Sequence, residues 1–174
     1  MQGIIVYKGK YGATQQYAEW LSATLNLPAH VTGEITTEQL AGTDFIVLGS
    51  SVYIGKLQLA HWLKQNAVNI INKKLFLFVV CGTPPEKKEK IETYLQASVP
   101  SEIRNKCEVY ILPGRLVLNK LSWLDRLLLK MGARFTKNNE EKKNMLTEYD
   151  DVKKENLGSI INAIEKFMLM KSEQ

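Results

Sequence analysis

Cysteine and histidine are scarce in this chain, two of each among 174 residues, and the scarcity removes whole classes of chemistry. Cys81 and Cys107 lack metal-ligand spacing and each sits in or beside an apolar run. The sequence therefore predicts buried, reduced thiols rather than a disulfide, a zinc site or a haem attachment. His30 and His61 stand alone, which leaves no histidine-centred base or metal pair to read. Long hydrophobic runs are missing too. None approaches the roughly 20 apolar residues of a membrane span, and the N-terminus enters Gly3-Ile4-Ile5-Val6-Tyr7 without a basic leader, so a cytoplasmic protein is expected. Neither Gly-x-Gly-x-x-Gly nor a Gly-Lys-Ser/Thr ending occurs, which argues against a dinucleotide or a nucleoside triphosphate. With no repeat, no linker and 45% hydrophobic content, the chain suits one domain over residues 1–174.

What is present is unevenly placed. Between residues 115 and 143, eight basic residues (Arg115, Lys120, Arg126, Lys130, Arg134, Lys137, Lys142, Lys143) stand against Asp125, Glu140 and Glu141. That local excess of five equals the +5 net charge of the whole chain. A segment of this kind suits an anionic partner or lipid headgroups; with no recognition motif beside it, nucleic acid is not expected.

Apolar runs too continuous to be half-exposed occur at residues 3–7, 45–49, 75–81 and 108–112, with a weaker one at 29–33. Helical patterns alternate with them, over residues 14–26, 37–41, 57–71, 87–97 and 151–170. Strict alternation predicts an α/β doubly wound, five-stranded parallel sheet with helices on both faces. Ligands of such sheets sit beyond the carboxyl ends of the strands, where strand order reverses. Three loops follow from that rule: 8–13, 50–56 and 82–85.

The first, Lys8-Gly9-Lys10-Tyr11-Gly12-Ala13-Thr14, opens a helix. Glycines let backbone N–H groups converge, the helix N-terminus adds partial positive charge, and a threonine hydroxyl can donate to a phosphate oxygen. The plainer alternative is a tight turn with Thr14 as an ordinary N-cap. In the second, Ser51-Val52-Tyr53-Ile54-Gly55 offers a hydroxyl, large side chains and a glycine, a set suited to a flat heteroaromatic ring. The third, Cys81-Gly82-Thr83, can approach the same ring from its other side, with Cys81 read as a core thiol.

These residues resemble those of the flavodoxin-like superfamily. Gly12-Ala13-Thr14 is similar to its Gly-x-Thr phosphate ending, and Gly49-x-Ser51-Val52-x-x-Gly55 to its isoalloxazine loop. Gly114, Trp123-x-Asp125-Arg126, Lys130-Met131 and Thr147-Glu148-Tyr149-Asp150-x-Val152 resemble, more narrowly, the menaquinone-dependent protoporphyrinogen oxidases. The chain departs from the superfamily at Lys8 and Gly9, where serine or threonine is usual; Lys8 and Lys10 offer ammonium groups instead. The resemblance implies FMN, strand order 2-1-3-4-5 and a helical insertion after strand five at about residues 115–146. It also implies electron transfer from a porphyrinogen through FMN to a quinone, with Gly55 letting a peptide turn with redox state.

In the insertion, Val117, Leu121, Leu124, Leu128 and Met131 recur at helical spacing within an amphipathic, basic stretch read as one helix over 116–135. It is expected to cover the sheet with one side and leave the other for a membrane surface at the inner face, a quinone or a partner subunit. Arg115, Lys120 and Arg126 are the candidate anchors for propionates; no catalytic acid or base and no metal is assigned. Two other readings stay open: a small flavodoxin-type electron carrier or quinone reductase, and a non-catalytic module with a decayed phosphate loop.

Overall fold

The computed structural model describes residues 1–136 and 139–172, without the side chains of residues 139–141, 144 and 172. Lys137 and the side chains of Glu140 and Glu141, counted in the basic segment, lie outside the described residues. The chain runs β1 (Gly3–Lys8), α1 (Ala13–Leu25), β2 (Ala29–Val31), α2 (Thr37–Ala41), β3 (Phe45–Tyr53), β4 (Lys56–Leu57), α3 (Ala60–Ile70), β5 (Lys74–Cys81), α4 (Lys88–Ser98), α5 (Ser101–Arg104) and β6 (Cys107–Pro113). It continues through β7 (Arg115–Leu116), α6 (Trp123–Phe135), α7 (Asn139–Leu146) and β8 (Tyr149–Asp150) to α8 (Gly158–Ser172).

Five strands form a parallel sheet in the order β2-β1-β3-β5-β6. With the two-residue β4 set aside as a hairpin arm of β3, this is the expected 2-1-3-4-5 order. Alternation along each strand produces two separate cores. Ile4, Val6, Ile46, Leu48, Leu75, Leu77 and Val79 face α3 and α4 through Leu63, Ile70, Ile91 and Leu95. Their neighbours Ile5, Phe45, Val47, Phe76, Phe78 and Val80 face α1 and α8 through Tyr17, Leu21, Ile160 and Ile164. Burial on both faces explains why the strands read as unbroken apolar runs.

Three boundaries differ from the sequence reading, each for a local reason. Leu57 belongs to β4, not to a helix, because β3 runs on to Tyr53 and turns back on itself; its N–H donates to the buried Ser98 hydroxyl at 2.8 Å. The last helix begins at Gly158 rather than Asp151, after a single 3-10 turn. The insertion is not one helix from Leu116. Arg115 and Leu116 pair antiparallel with Asp150 and Tyr149 and clasp its base, and α6 starts only at Trp123, capped by the Ser122 hydroxyl. The expectation that α6 covers the sheet also fails: no residue of α6 belongs to either core. Its inward face holds Asp125, Leu129, Gly132 and Ala133, and Leu124, Leu127, Leu128, Met131 and Phe135 lie exposed on the opposite face beside Trp123. No helix among the described residues is long and apolar enough to cross a membrane.

Candidate functional site

Strand order reverses between β1 and β3, so their loops leave the sheet side by side; Lys8 at the end of β1 is in register with Ser50 on β3. In the first loop the chain enters α1 through Gly12 at φ +82°, a left-handed conformation that a side chain would strain. Thr14 is not the N-cap that one reading allowed: it lies inside the first turn, and α1 has no side-chain cap. Its side chain is 1% exposed, and Oγ1 finds no hydrogen-bond partner among the described residues. That hydroxyl faces Gly9, where an added Cβ would come within 2.6 Å of Oγ1. Glycine at position 9, a departure in sequence, is thus what the close approach of the loop backbone to Thr14 requires. A buried hydroxyl left unpartnered costs about 1–3 kcal/mol, so its presence at a helix N-terminus calls for an acceptor.

The second loop is a two-residue hairpin turn. Val52 pairs with Leu57 and Tyr53 with Lys56, which leaves Ile54 and Gly55 to turn the chain, both at positive φ, +48° and +72°. Two left-handed residues in succession are what a tight primed turn requires. Glycine accepts this conformation readily, whereas a β-branched isoleucine is strained in it. Ile54 is nonetheless 68% exposed, an apolar side chain held outward on a strained backbone.

Both loops meet one carboxylate that belongs to the insertion. Asp125, 7% exposed in the first turn of α6, accepts hydrogen bonds from the Tyr11 hydroxyl and, at 2.5 Å, from the Tyr53 hydroxyl. It also pairs with Lys10 Nζ at 2.6 Å. Lys10 in turn donates to Tyr53 Oη at 3.2 Å and lies 4.2 Å from the centre of that ring. The Ser122 N–H donates to Tyr11 Oη at 3.4 Å, and the Asp125 N–H donates to Ser122 Oγ at 3.2 Å. Burial alone would raise the Asp125 pKa; the bonds from Lys10, Tyr11 and Tyr53 outweigh it and hold the carboxyl well below its usual range. Lys10 is held above its ordinary value, chiefly by its bond to Asp125 and then by Tyr53.

The third loop stands apart from this network. Cys81 is buried at the end of β5, its Sγ 3.5 Å from the Thr83 carbonyl, and burial pushes its thiol up. The Thr83 and Tyr94 hydroxyls lie 3.2 Å apart, and Gly82 lies under the Tyr149 hydroxyl with no room for a side chain. The three candidate anchors are not gathered around Asp125. Arg115 Nε lies 3.6 Å from Asp150 in the clasp, Arg126 donates to the Leu118 carbonyl at 2.8 Å, and Lys120 is exposed on the turn between them. Asp125 itself, the hub, is missing from the sequence-derived site. Its signals were the resemblance at Trp123-x-Asp125-Arg126 and the capping pattern Ser122-x-x-Asp125 within an otherwise basic and apolar helix.

Residues 4–143 match the family described as Flavodoxin domain. The chain belongs to this flavodoxin domain family. Membership agrees with the sheet order and points to a flavin cofactor. No curated protein matches the chain. Among solved structures it is similar to a flavodoxin from the domain Archaea, at 20% identity and TM-score 0.39 over 64% of this chain and 85% of that one. It is also similar to the two-electron reduced flavodoxin of Megasphaera elsdenii, at 18% identity and TM-score 0.44 over 63% and 82%. A third is the NAD(P)H:quinone oxidoreductase of Methanothermobacter marburgensis, at 13% identity and TM-score 0.43 over 86% and 98%. The residues present fit a flavin with a terminal phosphate: an unpartnered buried hydroxyl, a left-handed glycine and a helix N-terminus lie on one side, and an outward apolar side chain lies on the other.

Proposed function

We propose that this flavodoxin-domain chain is an FMN-dependent oxidoreductase. The observation that carries the reading is the unpartnered Thr14 hydroxyl, buried at the N-terminus of α1 against the Gly9 backbone of the same loop. On this reading Gly9, Tyr11, Gly12, Ala13 and Thr14 hold the phosphate, and Lys8 and Lys10 add positive charge. Ser51, Val52, Tyr53, Ile54 and Gly55 address the ring, with Ile54 against its face, and Cys81, Gly82 and Thr83 border it from the third loop. When bound, FMN supplies one- and two-electron redox chemistry. The protein residues bind and orient it; Cys81, its thiol pushed up by burial, is not a redox group.

We further propose a porphyrinogen as donor and a quinone as acceptor, met at a membrane surface. What supports this is the resemblance at Trp123-x-Asp125-Arg126, together with the exposed apolar face of α6 flanked by Arg126, Lys130 and Arg134. Large apolar side chains backed by cations have the composition of a helix that lies in a headgroup layer, where a lipid quinone is accessible. Arg115, Lys120 and Arg126 would receive the propionates, Arg126 by leaving the Leu118 carbonyl and Arg115 by leaving Asp150. The same apolar face could join two copies. An electron carrier is the second reading, disfavoured by a basic rather than acidic docking surface.

The test is anaerobic addition of protoporphyrinogen and a menaquinone analogue to FMN-loaded protein, followed by porphyrin fluorescence. Fluorescence rising above the uncatalysed rate supports the oxidase. An unchanged rate from protein that holds FMN leaves the carrier or a quinone reductase with another donor. A protein that stays colourless in FMN overturns every flavin reading.

A further inference from the structure

Asp125 draws partners from both flavin loops at once. Lys10 and Tyr11 come from the loop after β1, Tyr53 from the loop after β3, and one carboxylate carried by α6 ties all three across the space between them. The bonds are unusual for a residue in this helical position. An acid three residues after a serine N-cap ordinarily turns back to the N-cap N–H. Here Tyr11 takes that N–H, and the Asp125 side chain reaches away from its own helix to the two loops. Apart from Ala133, Asp125 is the only buried residue of α6. The helix is therefore seated by a polar latch more than by apolar packing.

The latch occupies what a flavin phosphate needs. Lys10 belongs to the phosphate loop, yet its ammonium is spent on Asp125 while the Thr14 hydroxyl of the same loop stands unpartnered. An ionised carboxylate beside that loop also opposes a dianion, and the network keeps Asp125 ionised by holding its carboxyl below the usual range. Tyr53, whose ring stands beside the strained Ile54, is held by the same group.

We propose that Asp125 is the latch of a lid. Its carboxylate seats α6 against the two loops, and on flavin binding Lys10 transfers from Asp125 to the phosphate and α6 is released. The inference rests on the FMN reading above. Its consequence is that α6, with its exposed apolar face, is mobile when the cofactor is in place and seated when it is not.

Hydrogen–deuterium exchange over residues 123–135 of the full chain, with and without FMN, tests this. FMN should raise exchange in the first turns of α6 several-fold, and riboflavin, which lacks the phosphate, should not at matched occupancy. Asp125→Asn should show raised exchange without any flavin and should bind FMN with a faster association rate. Tyr53→Phe removes the bond from Tyr53 to Asp125 and the one from Lys10 to Tyr53 without altering α6, and should show the same changes in smaller degree. FMN binding that leaves α6 exchange unchanged or lowers it overturns the latch alone. So does Tyr53→Phe or a folded Asp125→Asn with wild-type exchange and association rate. Failure of both wild type and variants to bind FMN overturns the latch together with the flavin reading.

Discussion

Thr14→Val separates folding from binding, because the account assigns the hydroxyl a cost in one and a gain in the other. The side chain is 1% exposed and its Oγ1 has no partner among the described residues. Valine is close to the same shape, helix propensity barely changes between the two, and a methyl replaces the polar atom. Unfolding free energy of the flavin-free protein should rise by about 1–2 kcal/mol, or roughly 2–8 °C in Tm for a chain of this length. With FMN the sign reverses. Loss of a hydrogen bond to a charged acceptor is worth about 1.5–3 kcal/mol, so Kd for FMN should weaken roughly 10- to 150-fold. Thermal melts without flavin and a fluorescence-quenching titration with FMN read the two quantities independently. A variant that is less stable without flavin and binds FMN as wild type does would refute the reasoning, since the hydroxyl would then have an unseen internal partner.

Three other perturbations have defined outcomes. Ile54→Gly relieves about 1–2 kcal/mol of left-handed strain against about 0.5–1 kcal/mol of added chain entropy, so the flavin-free protein should be unchanged or slightly more stable by denaturant melt while FMN binds more weakly; a large loss of stability would mean that Ile54 packs within the fold. Asp125 has a folded pKa below its unfolded one, so the stability it contributes is present above the unfolded value of about 3.9 and is lost as pH falls through the folded value. The stability difference between wild type and Asp125→Asn should thus be flat from about pH 5 to 8 and shrink below about pH 4; a difference that changes near neutrality contradicts the assignment. Burial pushes Cys107 up to about 12 and also raises Cys81, so both thiols should react with a disulfide reagent at pH 8 far more slowly in native than in unfolded protein. Rapid native labelling of either would contradict this.

The sheet was legible because its strands are buried on both faces: Ile46–Leu48 and Leu75–Val80 carry an unbroken apolar signal, and the two cores follow from alternation within them. Thr36 and Gln39, three residues apart, form a capping box at the start of α2. The insertion misled for the opposite reason. A periodic apolar stripe is ordinarily read as a buried face, but on α6 the stripe is exposed and the buried positions belong to Asp125 and Ala133. Periodicity finds the face and cannot say which way it points. Asp125 acquires its meaning from Tyr53 and Tyr11, which lie 72 and 114 residues away along the chain, and only the folded topology brings them to it. The hairpin at Ile54 was hidden in the same manner, since isoleucine is among the last residues expected where φ is positive. That the loops after β1 and β3 leave the sheet side by side, by contrast, follows from a strand order that the alternating pattern already implies.

The central claim is that the first loop is built for a phosphate on a flavin, and a paired titration of flavin-free protein with FMN and with riboflavin addresses it most directly. The account predicts that FMN binds and that riboflavin, which keeps the ring but offers nothing to Thr14 and the α1 N-terminus, binds at least about tenfold more weakly. Equal affinity for the two, or no binding of FMN at all, would contradict it.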